Sequence, residues 1–294
     1  MKKVAFSSIF AIFCYLIGSL AMCLSNATTK YIGINNMLST SEIVMMKSLL
    51  SVLLLLPFNC RNVVKAETRN KIRKNILLLL VMGLATLISQ FTWINAIKRI
   101  SLNNVILCVM IVSPIMTALG GRVFFKENIS NRIKFAFAVN IFAMLPINQF
   151  IVNKIDWNIG YLFLLCDLVV YSIIILLTRK LCDLPSELIV FVRFLVVSPL
   201  AIITVRHFPT LTFAVIFFTL IVAVSCTLGR FFQTKSYKYL EVSVLQPLRY
   251  FDIVFTIFIS FLILGEKLTL YQILGTIIII ASGFIVASEK NKVH

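Results

Sequence analysis

The sequence predicts an all-α integral membrane protein of ten transmembrane helices, arranged as two inverted five-helix repeats over residues 1–150 and 151–294. Three observations predict it. The 294-residue chain is 60% hydrophobic and only 13% charged, whereas a soluble domain carries about 25% charged residues. Apolar runs of roughly 20 residues, enough to cross a bilayer as helix, recur from one end to the other. Charged residues also recur at matching places in the two halves.

The expected spans are 4–26, 42–59, 75–96, 102–121, 133–150, 157–178, 187–205, 210–232, 242–264 and 269–287. They are too long for barrel strands, and several lack a period of two, so helices are the expected way to satisfy the backbone in lipid. No segment between them is polar or long enough for a separate soluble domain. The fourth span begins on the polar residues Ser101, Asn103 and Asn104, and Ser113-Pro114 is expected to kink it. Met1-Lys2-Lys3 before an apolar run resembles a secretion signal. The run continues to about Leu24 without a small-residue cleavage site, which marks an uncleaved first helix.

The formal charge of +17 is unevenly distributed. Nineteen basic residues fall on one side, among them six in 61–74, four in 122–134, and Arg230, Lys235 and Lys238. Six fall on the other: Lys30, Lys98, Arg99, Lys154, Arg206 and Lys267. This bias predicts both termini in the cytoplasm, with the chain crossing its membrane many times. Nucleic acid is excluded as a partner, because these cations are divided among loops and do not share one folded face. The seven cysteines are odd in number and scattered, and His207 and His294 are the only histidines. No disulfide framework or metal site follows, and the thiols read as small apolar packing residues. The chain has no G-x-S-x-G, no H-E-x-x-H, no phosphate-binding glycine loop and no histidine within a span. An enzyme would lack its parts, and no cofactor is expected.

The repeat rests on paired charges. Ser41-Glu42 precedes Lys47 in the second span, and Ser186-Glu187 precedes Arg193 in the seventh. Lys30 beyond the first span is echoed by Lys180 beyond the sixth. Lys98 and Lys238 precede the fourth and ninth spans, which are followed by Phe125-Lys126-Glu127-Asn128 and Leu264-Gly265-Glu266-Lys267. The spacings from 98 to 127 and from 238 to 266 differ by one residue. Apolar helices look alike by composition alone, so the charges carry the argument. Five is odd, so the second repeat enters from the opposite side, the architecture of secondary transporters with a site near the midplane. The expected partners are the lipid bilayer and a small-molecule substrate; oligomeric state is left open.

Pro247-Leu248-Arg249-Tyr250-Phe251-Asp252 puts two opposite charges into a run otherwise fit for hydrocarbon. A charge at bilayer depth costs about 2.5–3.5 kcal/mol, so such residues face a bundle interior or a water-filled cavity. Arg249 and Asp252 lie on one helix face and form either a structural ion pair or the wall of a binding site. Arg193 is deep enough to face a cavity, whereas Lys47 either faces it or snorkels to a headgroup. Asp167 is a neutral buried acid or a counter-charge. Trp93 and Tyr250 suit stacking on a planar or cationic ligand, or plain packing. Lys30, Arg230 and Glu266 read as interfacial, solvated or capping residues.

Ten spans in two repeats, Pro114 thirteen residues before Glu127, and Gly265-Glu266-Lys267 closing the ninth span together resemble the drug/metabolite transporter superfamily with its EamA-type repeats. Further residues are similar to the S-adenosylmethionine uptake transporters of obligate intracellular bacteria such as rickettsiae. They are Asn26 with Lys30-Tyr31-Ile32-Gly33, the cation at 47, Leu55-Leu56-Pro57-Phe58, and Pro247 with Arg249-Tyr250 and Asp252. Those transporters have N-x-x-x-K-Y-L-G, F-F-R and P-Y-R-Y-L-E at these places. Here Lys47 stands for arginine, Leu248 for tyrosine and Asp252 for glutamate; lysine loses the bidentate fork. The resemblance implies a carrier in the bacterial inner membrane that imports S-adenosylmethionine, in exchange for S-adenosylhomocysteine. On that reading Arg249, Arg193 or Lys47 holds the carboxylate, Asp252, Asp167 or an aromatic face meets the sulfonium, and Trp93 or Tyr250 stacks on adenine. The competing classes are a drug/metabolite exporter or permease for other metabolites such as amino acids, and a non-transporting membrane protein with structural charges.

Overall fold

A computed structural model describes residues 2–63, 66–100, 102–127, 129–147, 158–205, 208–264 and 270–287, and these contain helices and no strand. The helices are α1 (Lys2–Ile34), α2 (Thr40–Val63), α3 (Ala66–Lys74), α4 (Ile76–Arg99), α5 (Leu102–Phe125) and α6 (Asn131–Ile147). They continue with α7 (Ile159–Lys180), α8 (Ser186–Thr204), α9 (Phe213–Ser236), α10 (Val242–Leu245), α11 (Phe251–Leu264) and α12 (Leu270–Ala287).

Seven stretches are long and apolar enough to cross a membrane: Ser8–Ile34, Thr40–Asn59, Ile76–Arg99, Ile159–Lys180, Ser186–Thr204, Phe213–Ser236 and Val242–Ile259. The chain is a multi-pass membrane protein. Helices α5, α6 and α12 stand where the other three spans are expected, with shorter apolar stretches such as Val112–Phe125 and Ile273–Ser282 among the described residues. Phe13, Leu53, Phe58, Leu77, Phe124, Phe142, Leu162, Ile203, Phe213 and Phe284 are each more than half exposed. So much uncovered apolar surface is unacceptable in water and expected against lipid chains.

Local signals set the helix ends. Asn36, in the left-handed region at φ 48, closes α1: Met37 N donates to the Ile32 carbonyl and Asn36 N to that of Gly33. Ser39 and Glu42 then form a reciprocal capping box at the start of α2, with Ser39 N to Glu42 Oε2 at 2.6 Å and Glu42 N to Ser39 Oγ at 3.3 Å. The matching start of α8 is capped differently, by Pro185. Ser41-Glu42 and Ser186-Glu187 are therefore similar in sequence but not in cap geometry. Helix α5 runs through Pro114 and remains one helix. The ninth span is different: it breaks into α10, a 3₁₀ turn over Gln246–Tyr250, and α11.

The largest helix contacts are α1 with α9, α4 with α7, α2 with α8, and α6 with α12. Next come α4 with α8, α5 with α7, α2 with α9, and α1 with α11. Glycines permit the closest approaches. A Cβ on Gly18 of α1 would stand 2.9 Å from the Gly229 carbonyl of α9, and one on Gly83 of α4 would stand 2.5 Å from Val196 of α8. Small residues at such crossings replace the hydrophobic effect, which is absent between helices in lipid, with dispersion contact. Gly265-Glu266-Lys267, Lys154, Arg206, His207 and the C-terminal Lys290 and Lys292 lie outside the described residues.

Candidate functional site

The broken ninth span presents its charges inward. Pro247 has no backbone N–H, and the chain passes its neighbourhood as a 3₁₀ turn before resuming as α-helix. Arg249 donates from Nη1 to Ser113 Oγ on α5, and its Nε stands 3.9 Å from Asp252 Oδ2. Its guanidinium carbon lies 4.6 Å from the ring centroid of Tyr171 on α7. At 3.9 Å the pair attracts without a hydrogen bond. Asp252 Oδ1 is buried without a hydrogen-bond partner. The Asp252 carbonyl accepts from Thr256 Oγ1 at 2.7 Å and from Cys23 Sγ at 3.4 Å.

Tyr171 is shared between two arginines. Arg230 of α9 donates from Nη1 to the Tyr171 hydroxyl at 3.1 Å, with its guanidinium 5.1 Å from the ring centroid. The ring face attracts each cation, and such contacts strengthen when desolvated. Arg230 was expected at a membrane interface on the basic side. The structure moves it inward, because α9 continues through Gln233, Thr234 and Lys235 to Ser236 and leaves Arg230 six residues from the helix end. That is about 9 Å inside at 1.5 Å per residue.

The other charges converge on the same place. Arg193, 2% exposed, donates from Nε to Thr86 Oγ1 of α4 at 2.6 Å, while its buried Nη2 has no partner. Lys47 of α2 is half-buried within electrostatic reach of Arg193 and Arg230. Asp167 of α7 is buried, accepts a 2.6 Å hydrogen bond from Ser89 Oγ of α4, and feels the charges of Arg249 and Arg230. Beside it on α4, Gln90 is buried with both Nε2 and Oε1 unpartnered. A cavity of ≈ 10 Å³, lined by Tyr171, Thr178, Arg193, Arg230, Gln233 and Tyr237 among others, lies beside the cluster and has room for about one water.

Five sequence-predicted residues thus come together: Arg249, Asp252, Arg193, Lys47 and Asp167. Two do not. Tyr250 is fully buried in an apolar cluster, edge-on to Phe137 at a centroid distance of 6.5 Å. Trp93 packs against two apolar clusters. The fold adds Arg230, Ser89, Ser113 and Thr86, and it brings in Tyr171 and Gln90, which the sequence marks only as polar side chains within expected spans. Small hydroxyls on apolar helices gave no sequence signal; Arg230 could have been found, since it falls inside the expected span 210–232.

A second polar group closes one end of the bundle. Lys126, at φ 55, turns the chain after α5, and buried Glu127 accepts from Val242 N at 3.2 Å and Ser243 N at 2.9 Å. Arg179 at the end of α7 stands 3.9 Å from Glu127 Oε1 and donates to the Tyr237 carbonyl. Glu127 thus joins the end of α5 to the start of α10.

Residues 158–288 match the model of the EamA-like transporter family. The match supports the resemblance to the drug/metabolite transporter superfamily and favours a membrane transporter of small molecules over an enzyme. No curated protein matches the chain. One solved structure, titled only "Crystal structure of protein", aligns with a TM-score of 0.71 over 96% of this chain and 98% of its own, at 12% identity. At that identity the fold alone is shared.

Proposed function

We propose that this chain is a secondary carrier that imports S-adenosylmethionine across the bacterial inner membrane by alternating access, in exchange for S-adenosylhomocysteine, with both termini cytoplasmic. The observation that carries the proposal is the cluster of buried and half-buried charges Lys47, Arg193, Arg230, Arg249, Asp167 and Asp252, drawn from α2 in the first half and from α7, α8, α9, the 3₁₀ turn and α11 in the second. Ionisable residues at this depth are costly, and a conduit or binding site is their usual reason. Gln90, Arg193 Nη2 and Asp252 Oδ1 keep unused hydrogen-bonding capacity there.

The packing order supports two inverted repeats, 1–150 and 151–294. Exchanging α1, α2, α4, α5 and α6 for α7, α8, α9, α10–α11 and α12 turns the α1–α9 contact into α7–α4. The same exchange turns α2–α9 into α8–α4 and α5–α7 into α11–α1; α2–α8 and α6–α12 map onto themselves. Such symmetry provides two equivalent ways of tilting one half against the other. The ≈ 10 Å³ cavity is far below the several hundred Å³ that encloses a nucleoside-sized ligand, so binding requires the bundle to open. S-adenosylmethionine complements the cluster, with a carboxylate for the arginines and a sulfonium and ammonium for Asp167 and Asp252.

Uptake of labelled S-adenosylmethionine by proteoliposomes holding the chain tests the reading. Internal S-adenosylhomocysteine should accelerate uptake. Acceleration by an imposed pH gradient alone would replace exchange with proton coupling. Correctly inserted protein that accumulates no label would return the reading to an exporter or permease for other metabolites.

A further inference from the structure

The six charges of the cluster are unevenly matched. Asp252 faces Arg249, and Asp167 accepts from Ser89. Arg249 has Ser113, Asp252 and the Tyr171 ring. Arg193 and Arg230 have no such counter-charge: among the described residues no carboxylate stands within 4.0 Å of either. Both line the same cavity, with Gln233 and Thr234, and each lies within reach of the other's charge. Arg193 is 2% exposed and its Nη2 is unpartnered. Two guanidiniums lining one cavity, Arg193 buried and Arg230 half-buried, repel, and a buried donor left unpaired is costly. An anion between them removes both penalties, and the guanidinium fork fits a planar carboxylate or a phosphate.

We propose that Arg193 and Arg230 form the seat for an anionic group of the transported molecule, a carboxylate or a phosphate, with Tyr171 as the positioning residue that holds Arg230. The inference deepens the carrier reading and rests on it for its physiological meaning. Arg249 then belongs to the wall of the site through Ser113 and Asp252, and the substrate's negative group goes to Arg230, a residue whose place near the end of its span had marked it as interfacial.

The purified chain in detergent micelles is titrated with inorganic phosphate and, separately, with acetate, at an ionic strength held constant with chloride, while its thermal unfolding midpoint is read. At least one anion should raise the midpoint above the chloride control, phosphate more strongly for a phosphoryl seat and acetate for a carboxylate seat. Arg193→Gln and Arg230→Gln, recovered as monodisperse protein, should raise the half-saturating concentration about tenfold, the loss of one charged hydrogen-bonding partner. Lys235→Gln, on the same helix but stacked on Phe10 and Phe231, should leave it unchanged. Should the arginine variants not fold, Tyr171→Phe keeps every charge and the ring but removes the hydroxyl that accepts from Arg230, and it should weaken anion binding severalfold. No anion-specific rise in the wild type overturns the seat, as does a rise undiminished in these variants. A chain that binds the anion but accumulates no S-adenosylmethionine overturns the substrate and keeps the seat. Unimpaired uptake by both arginine variants overturns the seat and keeps the carrier.

Discussion

Arg249 uses one guanidinium in three directions: towards a hydroxyl on α5, a carboxylate one turn along its own chain, and an aromatic face on α7. Lysine in its place would keep the charge and lose the planar fork. On the proposed carrier reading, Arg249→Lys should therefore insert normally yet reduce S-adenosylmethionine uptake by about tenfold, or about 1.4 kcal/mol, close to the lower end for a hydrogen bond to a charged group; equal uptake would make the fork irrelevant. Arg249 and Asp252 were legible in the sequence because a charge inside an apolar run is expensive wherever it sits. Arg230 was harder, since a cation near the end of a span reads as a loop residue until the helix is known to continue through Ser236. The aromatics were not legible. In a chain with 25 phenylalanines, nothing local separates a stacking ring from a packing one, and Trp93 and Tyr250 both pack within apolar clusters.

Element positions follow the sequence closely where hydropathy changes sharply. The expected 75–96 and 187–205 compare with Ile76–Arg99 and Ser186–Thr204. The ninth span is the exception: it breaks at Gln246–Tyr250, where Pro247 withholds an amide and Gln246, Arg249 and Asp252 interrupt the apolar run. What hydropathy cannot convey is how closely two helices approach. Gly18 and Gly229 meet at the α1–α9 crossing, where a Cβ on Gly229 would lie 2.6 Å from Met22 and 3.0 Å from the Gly18 carbonyl. Met22 can move aside; the carbonyl cannot without shifting a helix. Gly18→Leu should destabilise the bundle by about 1–3 kcal/mol, the usual cost of overpacking, seen as a lower unfolding midpoint in detergent. An unchanged midpoint would show that the helices part freely there.

Across the whole molecule, the two halves meet in the central charged cluster and again where Glu127 binds the amides of Val242 and Ser243. On the proposed topology this second junction faces the cytoplasm. Glu127→Gln keeps an acceptor but removes the charge that draws Arg179, 3.9 Å away. Alkylation of a cysteine placed at Ser243, followed from the cytoplasmic side, should quicken by about tenfold in that variant, as expected for losing one charge-assisted bond. An unaltered rate would mean the junction stays closed throughout transport. Parting α5 from α10 strips one carboxylate of two amide donors at once. On the proposed carrier reading, opening towards the cytoplasm then has a threshold that water must help to lower, and that threshold lies at a junction remote from the molecule being carried.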